Sequence, residues 1–397
     1  LLFGAIPYAL AFFSMWIVPE LDTEAQIFGY VTFTLILFNT CLTVVFVPYT
    51  SLTAAITNDY NERTSLTGYR MFSSQTAFLA GATLPSILVL WATSQEGIRL
   101  VEAVGIGGFL GTWHGTARAG YMIVSAFFAV LMVASIWITF FGTKERNFQQ
   151  KTLYSNNPFS YAGSILEELQ GNRPFRIAVL ILLLTNCAGT LVSVNIPYYI
   201  QYVLNIQEDH QTKLLAVLFC TAVCAVPIWV VIAKSFGKAE TYRTAMLLYA
   251  IVLSGMMFLG DGDVVQAYIL SFSAGAFHAA ALTIPWAMIP DVVEFDQLKT
   301  GNRREGLFYG GTTFSYKLAT AVAISASGFI LDWTGYEPNI PQSTTVVLGI
   351  KTMVGPLAAV ILLFSAWLST RYPLTAVAHR RIVEELGQKL IDENKAD

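Results

Sequence analysis

Ten apolar stretches of about twenty residues each alternate with short polar segments: 1–19, 27–56, 71–93, 119–142, 176–204, 212–233, 244–260, 264–290, 307–331 and 346–370. A helix rises about 1.5 Å per residue, so about twenty apolar residues cross the roughly 30 Å hydrocarbon core with every backbone group paired internally. The pattern therefore predicts ten membrane-spanning helices and an all-α integral membrane protein. The second and eighth stretches are long enough to tilt or to reach into water.

Lysine and arginine sort the polar segments between the two faces. With residue 1 at the cytoplasmic face, eighteen of the 23 basic residues fall on cytoplasmic segments and four on outer ones, the bias expected of a multi-pass protein with a cytoplasmic C-terminus. Lys317 alone is left inside a span. The acidic residues all fall in connecting segments or at helix ends.

Composition agrees. The chain is 55% hydrophobic and 12% charged, with a mean hydropathy of +0.57, whereas soluble domains carry about 25% charged residues. A net charge of −3 carries no nucleic-acid signature. Cys41, Cys187, Cys220 and Cys224 lie in apolar runs without zinc-like spacing and read as inert thiols. The Gly-rich stretch at 105–120 follows no strand and opens no βαβ unit, so it is not a nucleotide loop. The chain has no Walker A, HExxH or GxSxG pattern, which points away from an enzyme and from ATP-driven transport. Residues 1–19 lack a charged n-region and a cleavage site, so they are read as a span, with the natural start expected upstream, and not as a signal peptide.

Two blocks resemble each other: "PYTSLTAAITNDYNERTSLTGYRMF" from Pro48 and "PWAMIPDVVEFDQLKTGNRREGLFYGG" from Pro285. Each pairs a proline with an aromatic, Pro48 with Tyr49 and Pro285 with Trp286. An aspartate follows at the same interval, Asp59 or Asp296, and then basic residues, Arg63 or Arg303 and Arg304. Six spans separate the two helices, which predicts two pseudo-symmetric, parallel six-helix halves. The expected organisation is an N-terminal bundle over 1–142, a polar cytoplasmic linker over 143–175, a C-terminal bundle over 176–370 and a cytoplasmic tail over 371–397. Four spans in the first half imply two more helices before residue 1.

The chemistry-bearing residues each have two readings. Lys317 lies about 15 Å along its helix from Leu307, and a charge that deep costs about 2.5–3.5 kcal/mol or more. It is read as a substrate or coupling-ion residue facing a wet cavity, against a snorkelling lysine. Asp59, Arg63, Asp291, Glu294, Asp296, Arg303 and Arg304 are read as a cytoplasmic gate of ion pairs between the halves, against solvated loop charges. Arg70, at the mouth of its helix, reaches either into this gate or up into the cavity. His278 sits among small residues as a substrate or proton ligand, or as an interhelical hydrogen-bonding group. Asn186 and Asn195 bind a polar solute or a neighbouring helix, and Tyr49 and Trp286 stack on a sugar or pack.

The blocks "PYTSLTAAITNDYNERTSLTGYR" and "PDVVEFDQLKTGNRREGLFYGGTTFSYKLATAVAISASGFILDWTGY" resemble the signature blocks of the glycoside–pentoside–hexuronide:cation symporters of melibiose-carrier type, a group of the major facilitator superfamily. The resemblance implies the major facilitator fold, with residue 1 opening the third of twelve helices. It implies cation-coupled symport of a sugar or glycoside (pentoside, hexoside or hexuronide) by alternating access, in a monomer of the inner plasma membrane. Na+ or H+ is the expected coupling ion, and no organic cofactor is expected. Lys317 resembles the family's helix-eleven lysine near the cation site, and Arg70 its sugar-contacting helix-five arginine. The family's cation carboxylates lie mainly on helix two, which is expected upstream of residue 1. Melibiose-type carriers also place an acid and a tryptophan around the helix-four proline. Here those positions are Phe46 and Thr50, so that helix offers no carboxylate grip on galactosyl hydroxyls. A hexuronide suits Arg70 and Lys317 electrostatically. A related branch carries lysophospholipids, and "IPDVVEF" is compatible with either branch. The alternatives to a sugar carrier are thus a sodium-dependent lysophospholipid-type carrier and a transport-inactive membrane protein.

Overall fold

The computed structural model describes residues 1–17, 19, 21–56, 60–103, 116–143, 171–206, 208–301, 305–375, 378, 381–382, 384–386 and 388. Among them every regular element is helical. In chain order these are α1 (Ala5–Ser14), α2 (Glu24–Ile56), α3 (Tyr60–Ala92), α4 (Gln95–Ala103), α5 (Ala117–Gly142), α6 (Arg173–Tyr202), α7 (Glu208–Phe236), α8 (Lys238–Gly255), α9 (Val264–Thr300), α10 (Glu305–Thr334), α11 (Thr344–Thr352) and α12 (Ala358–Ser369). α11 runs into α12 through a π turn at Met353–Leu357, where Pro356 has no amide hydrogen to give an α-helical bond.

Nine spans among the described residues are long and apolar enough to cross a membrane, one fewer than the ten expected. The exception is 1–19, helical only over the 10 residues of α1. Its end is tied off from outside: the Tyr30 hydroxyl lies 2.6 Å from the Ser14 carbonyl and 2.5 Å from the Ile17 carbonyl and shares its one proton between them. Carbonyls bonded this way no longer need the next turn of helix.

α9 departs from expectation in the other direction. Its apolar pattern ends near residue 290, yet the helix continues past Pro290 to Thr300. It stops at Gly301, whose positive φ of 72° and amide bond to the Gln297 carbonyl form a left-handed cap. Asp291, Glu294 and Asp296 are therefore helical residues, only 3%, 9% and 4% exposed, and not solvated loop charges.

The chain divides into two compact units, Leu1–Thr64 with Ala80–Gln150, and Ser65–Leu79 with Lys151–Asp397. In the first, α1 packs on α2 and α5 through its small buried residues Ala5, Ala9 and Ala11. Aromatic stacks of Tyr8 on Phe38 at 5.3 Å and of Trp16 on Tyr121 at 5.7 Å flank that contact. The second unit has a large core that includes Ile181, Leu191, Met246, Met288 and Ile350, and a smaller cluster around Ala222, Val226 and Ala279. Its outward residues, among them Ile251, Phe329 and Phe364, are exposed and apolar, as a lipid-facing surface requires.

Two devices hold the second unit. The Tyr242 hydroxyl lies 2.5 Å from both Thr185 Oγ1 and Ser365 Oγ, a buried node joining α6, α8 and α12. Gly275 of α9 lies so close to α7 that a Cβ there would run into the Leu218 carbonyl oxygen. Small residues let membrane helices approach to van der Waals contact, where lipid supplies no hydrophobic drive.

Candidate functional site

The site is built on α10, the helix that carries Lys317, and on the contacts that fix its rotation. Asn186 of α6 donates through Nδ2 to the Tyr316 carbonyl at 3.0 Å and to Thr320 Oγ1 at 2.8 Å. About two and a half turns further along α6, buried Asn195 accepts from Ser327 Oγ at 2.9 Å while its own amide donates to the Leu191 carbonyl at 2.8 Å. Two asparagines thus lock α10 against α6. An amide has two N–H donors, and Asn186 has both engaged between helices. Lys317, half-buried, stands within one turn of both residues that Asn186 holds.

Trp286 of α9 closes on the same place, its ring tilted against Tyr316 with centroids 6.1 Å apart. Lys317, Asn186 and Trp286 are therefore brought to one region of the second unit, on three helices. Arg70 is half-buried on α3, within the Ser65–Leu79 stretch of the same unit. Tyr49 is half-buried on α2 in the first unit.

His278 belongs to a different neighbourhood. Its ring lies edge-on to Phe219 of α7 at 6.2 Å and to Tyr249 of α8 at 6.5 Å. It points into the α7–α8–α9 bundle, whereas Trp286 on the same helix meets α10.

Of the proposed gate residues, Asp59, Arg303 and Arg304 lie outside the described residues, as do the side chain of Arg63 and linker residues 144–170. Asp291 is described, and it has a partner that sequence reasoning missed. Lys238 Nζ lies 2.6 Å from Asp291 Oδ1 and 2.8 Å from Oδ2, and donates to the Ala287 carbonyl at 2.8 Å. Both ends of this ion pair belong to the second unit. The sequence signal was Gly237, whose positive φ of 90° turns the chain directly into α8 and sets Lys238 at its start. Beyond α12, Tyr372 is buried and donates to the Met288 carbonyl at 3.4 Å. Burial, and secondarily the Asp291 charge, push its phenol well above the ordinary value.

Among the described residues no three of His, Cys, Asp or Glu converge as metal ligands. What the region offers chemically is the Lys317 cation beside aromatic and amide surfaces, and Arg70 adds a second half-buried cation to the same unit.

A family model described as MFS/sugar transport protein matches residues 1–376. The chain is 28% identical over 409 residues to sodium-dependent lysophosphatidylcholine symporter 1-A of Danio rerio, covering 100% of this chain and 76% of that one. It is 27% identical to a sphingosine-1-phosphate transporter of Xenopus tropicalis, with 94% and 73% covered. It is also 27% identical to an uncharacterized symporter of Synechocystis, with 96% and 82% covered. Among solved structures, the E. coli fucose:proton symporter aligns with a TM-score of 0.60 at 13% identity, covering 93% of this chain and 82% of that one. A bacterial homolog of the human lysosomal transporter Spinster aligns at 0.62 and 11% identity, covering 96% and 83%. At such identities these two structures speak to the fold.

Proposed function

The chain belongs to the major facilitator family of MFS/sugar transport proteins, and from that premise we propose that it is a sodium-coupled carrier of a lysophospholipid-class substrate. The observation that carries this reading is the end-to-end similarity to sodium-dependent lysophosphatidylcholine symporters, which covers the whole chain. Sequence alone ranks a sugar ahead of a lysophospholipid; the named relatives reverse that order, and they are transporters and not enzymes.

The chemistry of the site supports the reversal. A sugar presents many hydroxyls and wants convergent donors and acceptors. Here both donors of Asn186 are engaged between helices, and α2 presents Phe46 and Thr50 where a galactoside carrier has an acid and a tryptophan. A phosphate headgroup wants cations, and Lys317 and Arg70 supply them from within the bundle. In this reading Arg70 and Lys317 receive the headgroup, Trp286 packs beside it, and Lys317 also couples cation binding to rocking of the halves. The proposed organisation keeps the two bundles, a cytoplasmic linker and tail, and a plasma-membrane location. The repeat-block charges form the inner gate, with the Lys238–Asp291 pair holding the second unit's share of it in place.

The test is uptake by proteoliposomes of lysophosphatidylcholine, a hexoside, a pentoside and a hexuronide, each with an inward sodium gradient, a proton gradient or neither. Sodium-driven accumulation of the lysolipid alone is the expected result. Gradient-driven accumulation of any of the sugars, with the lysolipid left behind, would overturn it.

A further inference from the structure

Gln75 stands at the middle of the 33-residue α3 and is 1% exposed, while residues 72–74 and 76–78 on either side of it are exposed. Among the described residues its Oε1 is a buried oxygen with no hydrogen-bond partner. We propose that Gln75 is a specificity residue whose amide oxygen accepts a hydrogen bond from the free hydroxyl of the carried lysophospholipid. The inference rests on the lysophospholipid reading and adds to it the contact that tells a lysolipid from other membrane lipids.

An acceptor in this position is hard to satisfy from within the protein. The backbone amides of helices are spent on their own carbonyls four residues back, so a buried side-chain oxygen needs another side chain or a ligand. Thr241 and Thr283 also keep buried hydroxyls without a partner among the described residues. A threonine hydroxyl, however, can donate to the carbonyl one turn back in its own helix. A glutamine carbonyl oxygen only accepts and has no such local remedy. Left alone it carries its full desolvation cost, heavier still between membrane helices, where water is scarce. At mid-helix, the level at which carriers of this architecture hold their cargo, that cost is offset when a donor arrives with the substrate.

The donor that fits is a single hydroxyl. In a phosphocholine lysolipid the trimethylammonium group has no N–H, and the ionised phosphate and the ester have no O–H. The glycerol hydroxyl freed by loss of the second acyl chain is therefore its only hydrogen-bond donor, and the diacyl lipid has none. A sugar brings several donors and would need several such acceptors. Arg70, proposed for the phosphate, lies about 7.5 Å earlier on α3, so one helix carries a cation and an acceptor for neighbouring groups of the same molecule. Three residues beyond Gln75, Phe78 stacks on Phe219 of α7 at 5.9 Å, which anchors this part of α3 to the second unit. Discrimination is needed, because diacyl lipid surrounds the protein in excess and shares the phosphate, the choline and the chain.

The experiment measures sodium-driven uptake into proteoliposomes of palmitoyl lysophosphatidylcholine, its 2-deoxy analogue and its 2-O-methyl ether. The proteins compared are the native chain, Gln75→Met and a control, Ile251→Leu, on the lipid-facing surface. The native protein and the control are expected to prefer the lysolipid over both analogues by about tenfold or more at limiting concentration. Gln75→Met is similar in volume but lacks the acceptor. It is expected to take up the lysolipid about tenfold less well, with both analogues within about twofold of native and a melting temperature equal to native or higher. No preference in the native protein, the result if a water sits on Oε1, overturns the hydroxyl contact and leaves the carrier reading standing. So does a preference that survives in Gln75→Met: with equal losses for all three lipids the residue is structural, and with a raised sodium requirement its oxygen serves the cation. Misfolding of Gln75→Met also overturns the contact, since it shows that the oxygen already has a partner in the empty protein. No uptake of any of the three lipids by the native protein overturns the carrier reading itself.

Discussion

Lys238 binds Asp291 through both carboxylate oxygens, at 2.6 and 2.8 Å, and so ties the first residue of α8 to α9 just beyond Pro290. Asp291 is nearly inaccessible while the Lys238 side chain keeps a quarter of its exposure. Removing one partner from a buried pair costs about 3–5 kcal/mol, and the solvent left to Lys238 brings the expected loss for Asp291→Asn to about 2 kcal/mol. Replacing both together, Lys238→Met with Asp291→Leu, is expected to recover most of it. Unfolding of the four proteins in detergent, combined as a double-mutant cycle, checks this. Additive losses would show that the pair is not coupled.

Tyr372 gives a pH signature. Its phenol is raised above the ordinary 10.0, first by burial and then by the Asp291 charge. Above pH 10 the unfolded chain releases this proton while the folded protein keeps it, so stability falls as pH rises through that window and is whole below it. Tyr372→Phe should lower stability near neutrality by about 1 kcal/mol or less and should make the alkaline decline shallower. Melting temperatures measured on both sides of pH 10 read this directly; an unchanged alkaline slope counts against the burial of a titrating phenol.

Asn195 and Ser327 are partners across α6 and α10. Interhelical hydrogen bonds in membranes average about 0.6 kcal/mol and reach about 1.7. Because Asn195 is fully buried, Asn195→Leu is expected near 1 kcal/mol, with sodium dependence and substrate preference intact in transport assays. A change of preference at unchanged stability would move Asn195 from scaffold to site.

Lys317→Gln keeps the length and polarity of the side chain and removes its charge. The fold should survive, since a buried charge is a burden to insertion. Sodium-driven uptake should fall by about tenfold or more while sodium-independent exchange falls less. Equal transport by the variant would make Lys317 a structural residue.

Gly275→Leu tests the α7–α9 contact. With a Cβ already colliding with the Leu218 carbonyl, the helices must separate, and overpacking of this kind costs about 1–3 kcal/mol or more. Loss of folded protein in detergent at moderate temperature is the expected readout, and a melting temperature equal to native would show that the two helices give way easily.

Much of this protein was legible from pattern. Period and length mark a span because the bilayer leaves helices as the only economical way to pair a backbone in this kind of sequence. The nine spans, the intramembrane position of Lys317 and the paired blocks around Pro48 and Pro285 follow from that rule. Helix ends were less legible. α1 is shortened by the Tyr30 hydroxyl, and α9 is lengthened into charged sequence because Lys238 meets Asp291 there. Neither partner is adjacent in sequence, so no local pattern announces it.

The sequence by itself determined the class of molecule, nine of its ten expected membrane crossings and the presence of a cation, Lys317, inside one of them, because each depends on what a residue is and on how many like it stand in a row. Only the tertiary structure decided which way those residues turn. Asn186 bonds to α10 beside Lys317 and Trp286 packs on Tyr316 of the same helix, while His278, on the same helix as Trp286, faces Phe219 and Tyr249. On a helix that is apolar all round, the pattern carries no direction, and facing is settled by whichever neighbouring helix can satisfy each polar group.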